Sequence, residues 1–212
     1  NSMGGHYDPK AHTFELKVRA TNPSPDKPVA LKVVSVLDGA KLYDQEQALI
    51  REWGYLDKMD HHSIVNAHGL VRLDDGRYAL VLEVLKGATL DAIIQRCQEK
   101  KKYQKARDWD QATREIMVRV GDALSHMHSL GISHNDLKPD NIMVYIDEQG
   151  ELDVALLDLE MAGDTEGGRI EYSAPERLDA GVSNQRTDIY SLGLLLYKTL
   201  TGTLPYPEQS SS

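Results

Sequence analysis

The chain has 212 residues, 41% apolar and 27% charged, the proportions of an ordinary globular protein with one good-sized core or two small lobes. A net charge of −9 disfavours wholesale binding to nucleic acid or to an anionic membrane, and no apolar run approaches the roughly 18 to 20 residues of a membrane span. Cys97 is the only cysteine, which excludes an internal disulfide and a cysteine-rich zinc site and makes a packed small hydrophobe its expected role.

Taken in chain order, the start NSMGG lacks the basic-then-apolar pattern of a signal peptide and reads as a remnant of cloning, so a cytoplasmic setting is expected. Residues 1–12 carry little periodicity and are expected to be loose, as are 208–212. FELKVRA (14–20) alternates as a strand does, TNPSPDKP (21–28) is turn chemistry, and VALKVV (29–34) is a second strand, so the two predict a hairpin with a long connection. Residues 44–60 place Leu49, Trp53, Leu56 and Met59 at helical spacing. IVNAHGLVRL and RYALVLEVL flank the turn DDG and predict a second hairpin. From about residue 86 the pattern changes: TLDAIIQRC is a short helix, 98–110 a charged helix end and loop, and 112–131 a long amphipathic helix closed by Gly131. NIMVYI and DVALLDL are short strands around the turn DEQG, and TDIYSLGLLLYKTLTG is a helix opened by a capping Thr and Asp. The order predicts a β-rich lobe followed by an α-rich lobe, with a ligand crevice between them.

Three stretches carry candidate chemistry. Lys32 lies on a predicted strand and Glu52 on the following helix, and a lysine held by a carboxylate is a fixed positive point for phosphate oxygens. HNDLKPDNIMV (134–144) brings Asp136, Lys138 and Asn141 within six residues: a carboxylate to accept a hydroxyl proton, an ammonium to steady a phosphoryl group, and an amide oxygen for magnesium. LLDLEMAG (156–163) ends an apolar run in Asp158 and Glu160, where an acid at the end of a buried strand often faces a ligand.

In this order the motifs resemble a eukaryotic-type protein kinase domain from about residue 14 to 207. VALK is similar to V-A-I-K, and HHSIV (61–65) resembles the H-P-N-I-V after the family's C helix and selects Glu52 over Glu46 as the ion-pair partner. LVLEVLKGATL resembles the hinge with Leu82 as gatekeeper, HNDLKPDN the catalytic loop, EYSAPERL the A-P-E motif, and TDIYSLGLLLYKTLTGTLPY the family's F helix with Asp188. The resemblance implies a bilobal α+β fold, one kinase-like domain over 1–212 with an N-lobe at 13–85 and a C-lobe at 86–207, ending soon after the F helix. It implies ATP and Mg2+ as cofactors, a protein substrate phosphorylated on Ser or Thr, and no nucleic-acid or membrane partner. By the same resemblance Lys32 and Glu52 contact the ATP phosphates, Ala30 and Met143 sandwich adenine, and Glu83 and Leu85 present backbone groups to it. Asp136 is the base, Lys138 stabilises the γ-phosphate, and Asn141 and Asp158 hold magnesium.

The sequence also departs from the family. HYDPKAHTFELK has no glycine where the glycine-rich loop belongs, and lower ATP affinity is expected from that. Asn135 stands for the arginine of H-R-D and Arg169 for the threonine before the A-P-E motif. No phospho-dependent ordering of the loop is therefore expected, and single changes of Thr165, Tyr172 or Ser173 are expected to be mild. D-F-G is D-L-E, with Leu159 a packing residue and Glu160 either an extra metal ligand or a solvent-facing replacement. Glu176 is expected to be exposed or paired differently from the family's glutamate, which pairs with an arginine, and the surface of the F helix is expected to be covered by a partner or a second copy. Two alternatives to an active protein kinase are a pseudokinase serving as a nucleotide-binding or scaffolding module, and a small-molecule phosphotransferase of the aminoglycoside and choline kinase type, which shares D-x-E but lacks YSAPERL.

Overall fold

The structure, a computed structural model, describes residues 5–8, 13–16, 28–33, 39–100, 107–159 and 170–206. The chain divides into two compact units: the first takes residues 1–60 and 65–85, the second 61–64 and 86–212.

The first unit opens with a two-stranded antiparallel ladder, β1 (Gly5–Asp8) against β2 (Thr13–Leu16). The expectation that residues 1–12 are loose is therefore corrected for 5–8: four residues are too few to show a period, and their strand exists through its pairing. Of the expected hairpin of 14–20 with 29–34, residues 17–20 lie outside the described residues; β2 pairs with β1 and lies near β3 (Val29–Val33), which pairs with β5 (Tyr78–Glu83). Lys32 faces Leu80 and Ala30 faces Leu82 in that register. β4 (Ala67–Arg72) lies on the other side of β5, joined to it through a turn in which Gly76 takes a positive φ of 91° and the Leu73 N–H donates to the Arg77 carbonyl at 2.8 Å. The core of this sheet includes Val29, Ala79, Leu80 and Val81. α1 (Gly39–Leu56) starts before the predicted residue 44 and ends at Leu56; it buries Leu49, Glu52 and Leu56 on one face.

Among its described residues the second unit is built around a small sheet and four α-helices. β6 (Gly87–Thr89), which the sequence reading did not separate from the following helix, pairs with β7 (Ile142–Ile146), and β7 with β8 (Leu152–Leu156). Residues 61–64 belong here: Ile64 bridges to Leu156, and the Leu156 N–H donates to the Ser63 carbonyl at 2.9 Å. α2 (Leu90–Lys100) and α3 (Arg107–Ser129) follow; α3 starts five residues earlier than predicted. Its apolar face, Ile116, Val120, Ala123, Leu124 and Met127, is fully buried, and Gly131 closes it in the left-handed region at φ 73°. α4 (Pro175–Ala180) was not foreseen; Pro175 supplies its first helical position. α5 (Gln185–Thr201) is capped by Asn184 and not by the predicted Thr and Asp. The Asn184 side chain accepts from the Arg186 N–H, and the Thr187 hydroxyl accepts from the Asn184 N–H, a reciprocal box. Among the described residues no helix is long and apolar enough to cross a membrane.

Two glycines have opposite requirements. A Cβ on Gly87 would sit 2.2 Å from the Val144 carbonyl oxygen, so β6 approaches β7 only without a side chain. A Cβ on Gly54, in α1, would meet nothing within 4 Å. Gly87→Ala is expected to cost about 1–3 kcal/mol and Gly54→Ala to add about 0.5–1 kcal/mol, read from urea denaturation midpoints.

Candidate active site

Lys32 projects from β3 and Glu52 from α1 within the first unit. The Lys32 ammonium reaches both oxygens of Glu52, at 2.8 and 2.7 Å. Glu52 is 4% exposed, so its carboxylate is costly to leave unpaired and is fixed by the lysine. Glu46, the acid the motif count set aside, accepts from the Tyr78 N–H at 3.3 Å. At the hinge, the Glu83 N–H donates to the Asn66 carbonyl while a Glu83 carboxylate oxygen accepts from the Asn66 N–H at 2.7 Å. Both bonds hold Glu83 at the end of β5 and commit its amide, leaving its carbonyl as the group of this residue able to face a ligand. Ala30, partly buried, lies opposite Leu82, and Leu85 follows β5 at the unit's edge.

In the second unit the loop 133–138 enters a 3-10 turn, Pro139–Asn141, and then β7. Lys138 and Asn141 both converge on Asp136. The Lys138 ammonium donates to Asp136 Oδ2 at 2.5 Å, and the Asn141 amide donates to the same oxygen at 2.8 Å and to the Asp136 carbonyl at 2.9 Å. With the Asn141 nitrogen turned inward, its amide oxygen is the atom directed elsewhere. The Leu157 N–H donates to the Asn141 carbonyl at 2.9 Å, and Asp158, exposed, is the next residue. Met143, half-buried on β7, pairs with Thr89 and Ala155.

This loop is held from below by Asp188, on the first turn of α5 and 1% exposed. Its Oδ2 accepts from the His134 N–H at 2.9 Å and pairs with His128 Nε2 at 2.8 Å; its Oδ1 accepts from the Asn135 N–H at 2.8 Å. The sequence marked Asp188 only as the sign of a helix and missed His128. The visible signal was an imidazole in the last turn of α3, six residues before His134. Among the described residues two non-glycine residues occupy the left-handed region, Asn135 at φ 65° and Asp158 at φ 53°. Asn and Asp tolerate that region better than other non-glycine residues, so Asn135 fits the backbone in the place where the family has arginine.

His134 is fully buried, and burial pushes its imidazole below the ordinary value of 6.5 against the opposing pull of Asp188, Asp136 and Asp158. Its Nδ1 accepts from the Asp136 N–H at 3.4 Å, which suits the neutral ring. Leu159 is 7% exposed, as a packing residue should be, and Glu176 is exposed on α4. Glu160, Thr165 and Arg169 lie outside the described residues. Tyr172 is 3% exposed, and the Ser191 hydroxyl donates to its carbonyl at 2.8 Å.

Among the described residues no three His, Cys, Asp or Glu side chains gather as a metal cluster. What the second unit offers is an amide oxygen and an exposed carboxylate on adjacent strand ends. Hard oxygen donors in that small number fit magnesium, which keeps several waters and takes most remaining ligands from phosphates.

The chain from residue 16 to 212 matches the family model described as protein kinase domain. It is 29% identical over 196 residues to the serine/threonine-protein kinase PrkC of Bacillus subtilis, covering 88% of this chain and 28% of that protein. It is 31% identical over 193 residues to the serine/threonine-protein kinase zyg-8 of Caenorhabditis elegans, covering 85% and 23%. A crystal structure of Rad53 residues 1–466 in complex with AMP-PNP superposes with a TM-score of 0.65 at 30% identity, over 87% of this chain and 44% of that one. The chain thus spans between 23% and 28% of the length of these two relatives.

Two outcomes follow from the loop. Asn135→Gly is expected to be near neutral and Asn135→Ala to cost about 1–2 kcal/mol, by denaturant melts, because only the latter puts an unassisted Cβ in the left-handed region. For His134, the unfolded imidazole takes a proton near pH 6.5 while the folded one resists, so the unfolded state binds more protons below that pH. Stability from this group is therefore full above pH 6.5 and lost as pH falls, by up to about 1.4 kcal/mol per pH unit. Urea melts at pH 7.5, 6.5 and 5.5 should show that component in the wild type and lack it in His134→Gln.

Proposed function

The chain belongs to the protein kinase domain family, and from that premise we propose that it transfers the γ-phosphate of ATP to Ser or Thr hydroxyls of a protein substrate. The observation that carries the reading is the Asp136 carboxylate. Lys138 and Asn141 both bond to Oδ2, so Oδ1 is the oxygen left to accept a substrate hydroxyl's proton. A drifted binding module has no reason to keep base, ammonium and amide converging on one oxygen, and this favours an enzyme over a pseudokinase scaffold.

The other roles follow from the same residues. Lys32, fixed by Glu52, meets the α- and β-phosphates with a positive charge that needs no reorganisation. Ala30 and Met143 flank adenine, and the Glu83 carbonyl with the Leu85 backbone takes its polar edge. Lys138 offsets charge on the transferring phosphoryl group while the hydroxyl proton moves to Asp136 Oδ1. Asn141 and Asp158 would hold magnesium, which when bound neutralises phosphate charge. The reading further includes a cytoplasmic location and no nucleic-acid or membrane partner. It also places a partner or a second copy over the exposed apolar side chains Ile189, Leu196 and Leu200 of α5. Light scattering that returns a monomer would remove a second copy from it.

Asp136→Ala should lower γ-phosphate transfer to a generic protein substrate and to the chain itself by about 100-fold to 10,000-fold, with nucleotide affinity little changed. Nucleotide binding without transfer by the wild type would overturn the enzyme reading and leave a binding module.

A further inference from the structure

The end of β5 makes a hydrogen bond that a regular ladder would not. β4 and β5 run antiparallel with Ala67 opposite Leu82, so Asn66 and Glu83 stand opposite each other one step on. In an antiparallel ladder such a pair either exchanges both main-chain bonds or makes neither. The Glu83 N–H donates to the Asn66 carbonyl at 3.0 Å, which makes this pair the exchanging kind. Between these two residues the return bond, from the Asn66 N–H to the Glu83 carbonyl, is not made. The Asn66 N–H donates instead to Oε1 of the Glu83 side chain at 2.7 Å, the length of a charge-assisted bond.

The carboxylate therefore stands in for the main-chain carbonyl of its own residue. It does so beside a bulge: the register of β4 shifts between Ala67 and Gly69, and Gly69 takes a φ of 151°, a value suited to glycine. A bulge bends its strand, and Asn66 lies just before it, outside β4. The strand on the other side does not claim the carbonyl. Val29 of β3 lies opposite Glu83, but a residue whose bonded pairing is with one neighbour stands in a non-bonded pair with the other. β5 ends at Glu83 with a main-chain acceptor that its side chain has kept out of the ladder. An acceptor there suits a purine with an exocyclic amine, as in adenine, and opposes one with an exocyclic oxygen, as in guanine.

We propose that the Glu83 side chain is a positioning residue for the nucleotide: by holding the Asn66 N–H it keeps its own carbonyl available to the purine's amine, and so sets the preference for ATP over GTP. The inference rests on the protein-kinase reading above, which gives that carbonyl to adenine, and it adds what makes the carbonyl available. Removing the carboxylate returns the Asn66 N–H to the ladder. The main-chain pair then closes, and the purine must compete with Asn66 for the carbonyl. Glutamine keeps an oxygen at the same reach and preserves the arrangement. Among the described residues the bonds of Glu83 outside the sheet's own ladders run to Asn66, so the loss falls on nucleotide affinity and not on the transfer step.

The test uses the full chain with a generic protein substrate. It measures kcat and KM for Mg-ATP and Mg-GTP, and the binding of Mg-ADP and Mg-GDP by isothermal titration. Glu83→Ala should raise KM for ATP and weaken Mg-ADP by about threefold to tenfold, the net worth of one hydrogen bond, with kcat within about twofold. The preference for adenine over guanine should shrink by the same factor, whereas a loosened fold would weaken both nucleotides alike. Glu83→Gln should recover most of both losses. In the double variant Asn66→Pro with Glu83→Ala no N–H remains to capture the carbonyl, and the preference should return; circular dichroism melts confirm that each variant folds. The same pattern in binding with no phosphate transfer would keep the positioning role and overturn the kinase reading. Transfer by Glu83→Ala with wild-type KM and preference, or with both nucleotides weakened equally, would keep the kinase reading and overturn the role.

Discussion

The buried carboxylate of Asp188 is the constraint on which the second unit's chemistry rests. A carboxylate that is 1% exposed is tolerable only when its lone pairs are filled, and Asp188 fills them with two backbone N–H groups of the loop 133–138 and with His128. The two bonds to the loop run to main chain, so they fix the path of residues 134 and 135 whatever those side chains are. That path includes a left-handed residue at 135, a conformation that costs free energy unless the surroundings impose it. The charge-assisted bonds from both neighbouring amides are the imposing force. Asp136 then leaves the loop pointing to where Lys138 and Asn141 can reach one of its oxygens.

The same logic explains why the substitution of asparagine for arginine at 135 does not disturb the site. The position is defined by its backbone, which Asp188 grips, and asparagine is among the few side chains that suit φ 65°. What changes is the reach of the side chain. An arginine could extend to a phosphate elsewhere in the protein, whereas the Asn135 amide turns back to the Ser133 carbonyl at 3.3 Å. The departure from the family thus falls on how the loop would be regulated, not on the atoms that would move the proton.

Much of this was legible in the sequence, for identifiable reasons. Long periodic segments such as α3 and contiguous polar motifs such as HNDLKPDN carry their meaning locally: the 3.6-residue repeat forms one buried face, and Asp136, Lys138 and Asn141 meet because one turn holds them. Lys32 and Glu52 were paired by counting between motifs, and they meet because β3 and α1 pack in one unit. What stayed hidden depends on contacts distant in sequence. β1 and β6 are four and three residues long and exist only through their ladder partners. The true cap of α5 is Asn184, since Thr187 bonds back to it and Asp188 is drawn away to the loop. His128 and Tyr172 look like ordinary helix and loop residues until α5 is seen beside them.

α5 therefore does two kinds of work with one rigid rod. Its buried polar side chains, Asp188 and Ser191, grip main-chain atoms of the loop 133–138 and of the segment before α4, while Lys198 reaches Tyr172 and Asp91 farther along. Trp109 on α3 donates to the Thr199 carbonyl and Gln98 on α2 bonds to the Gly202 carbonyl, so the far end of the rod is tied as firmly as the near end. A helix fixed at both ends transmits position without bending, which makes the spacing between Asp188 and Lys198 a property of helix geometry and not of loop conformation.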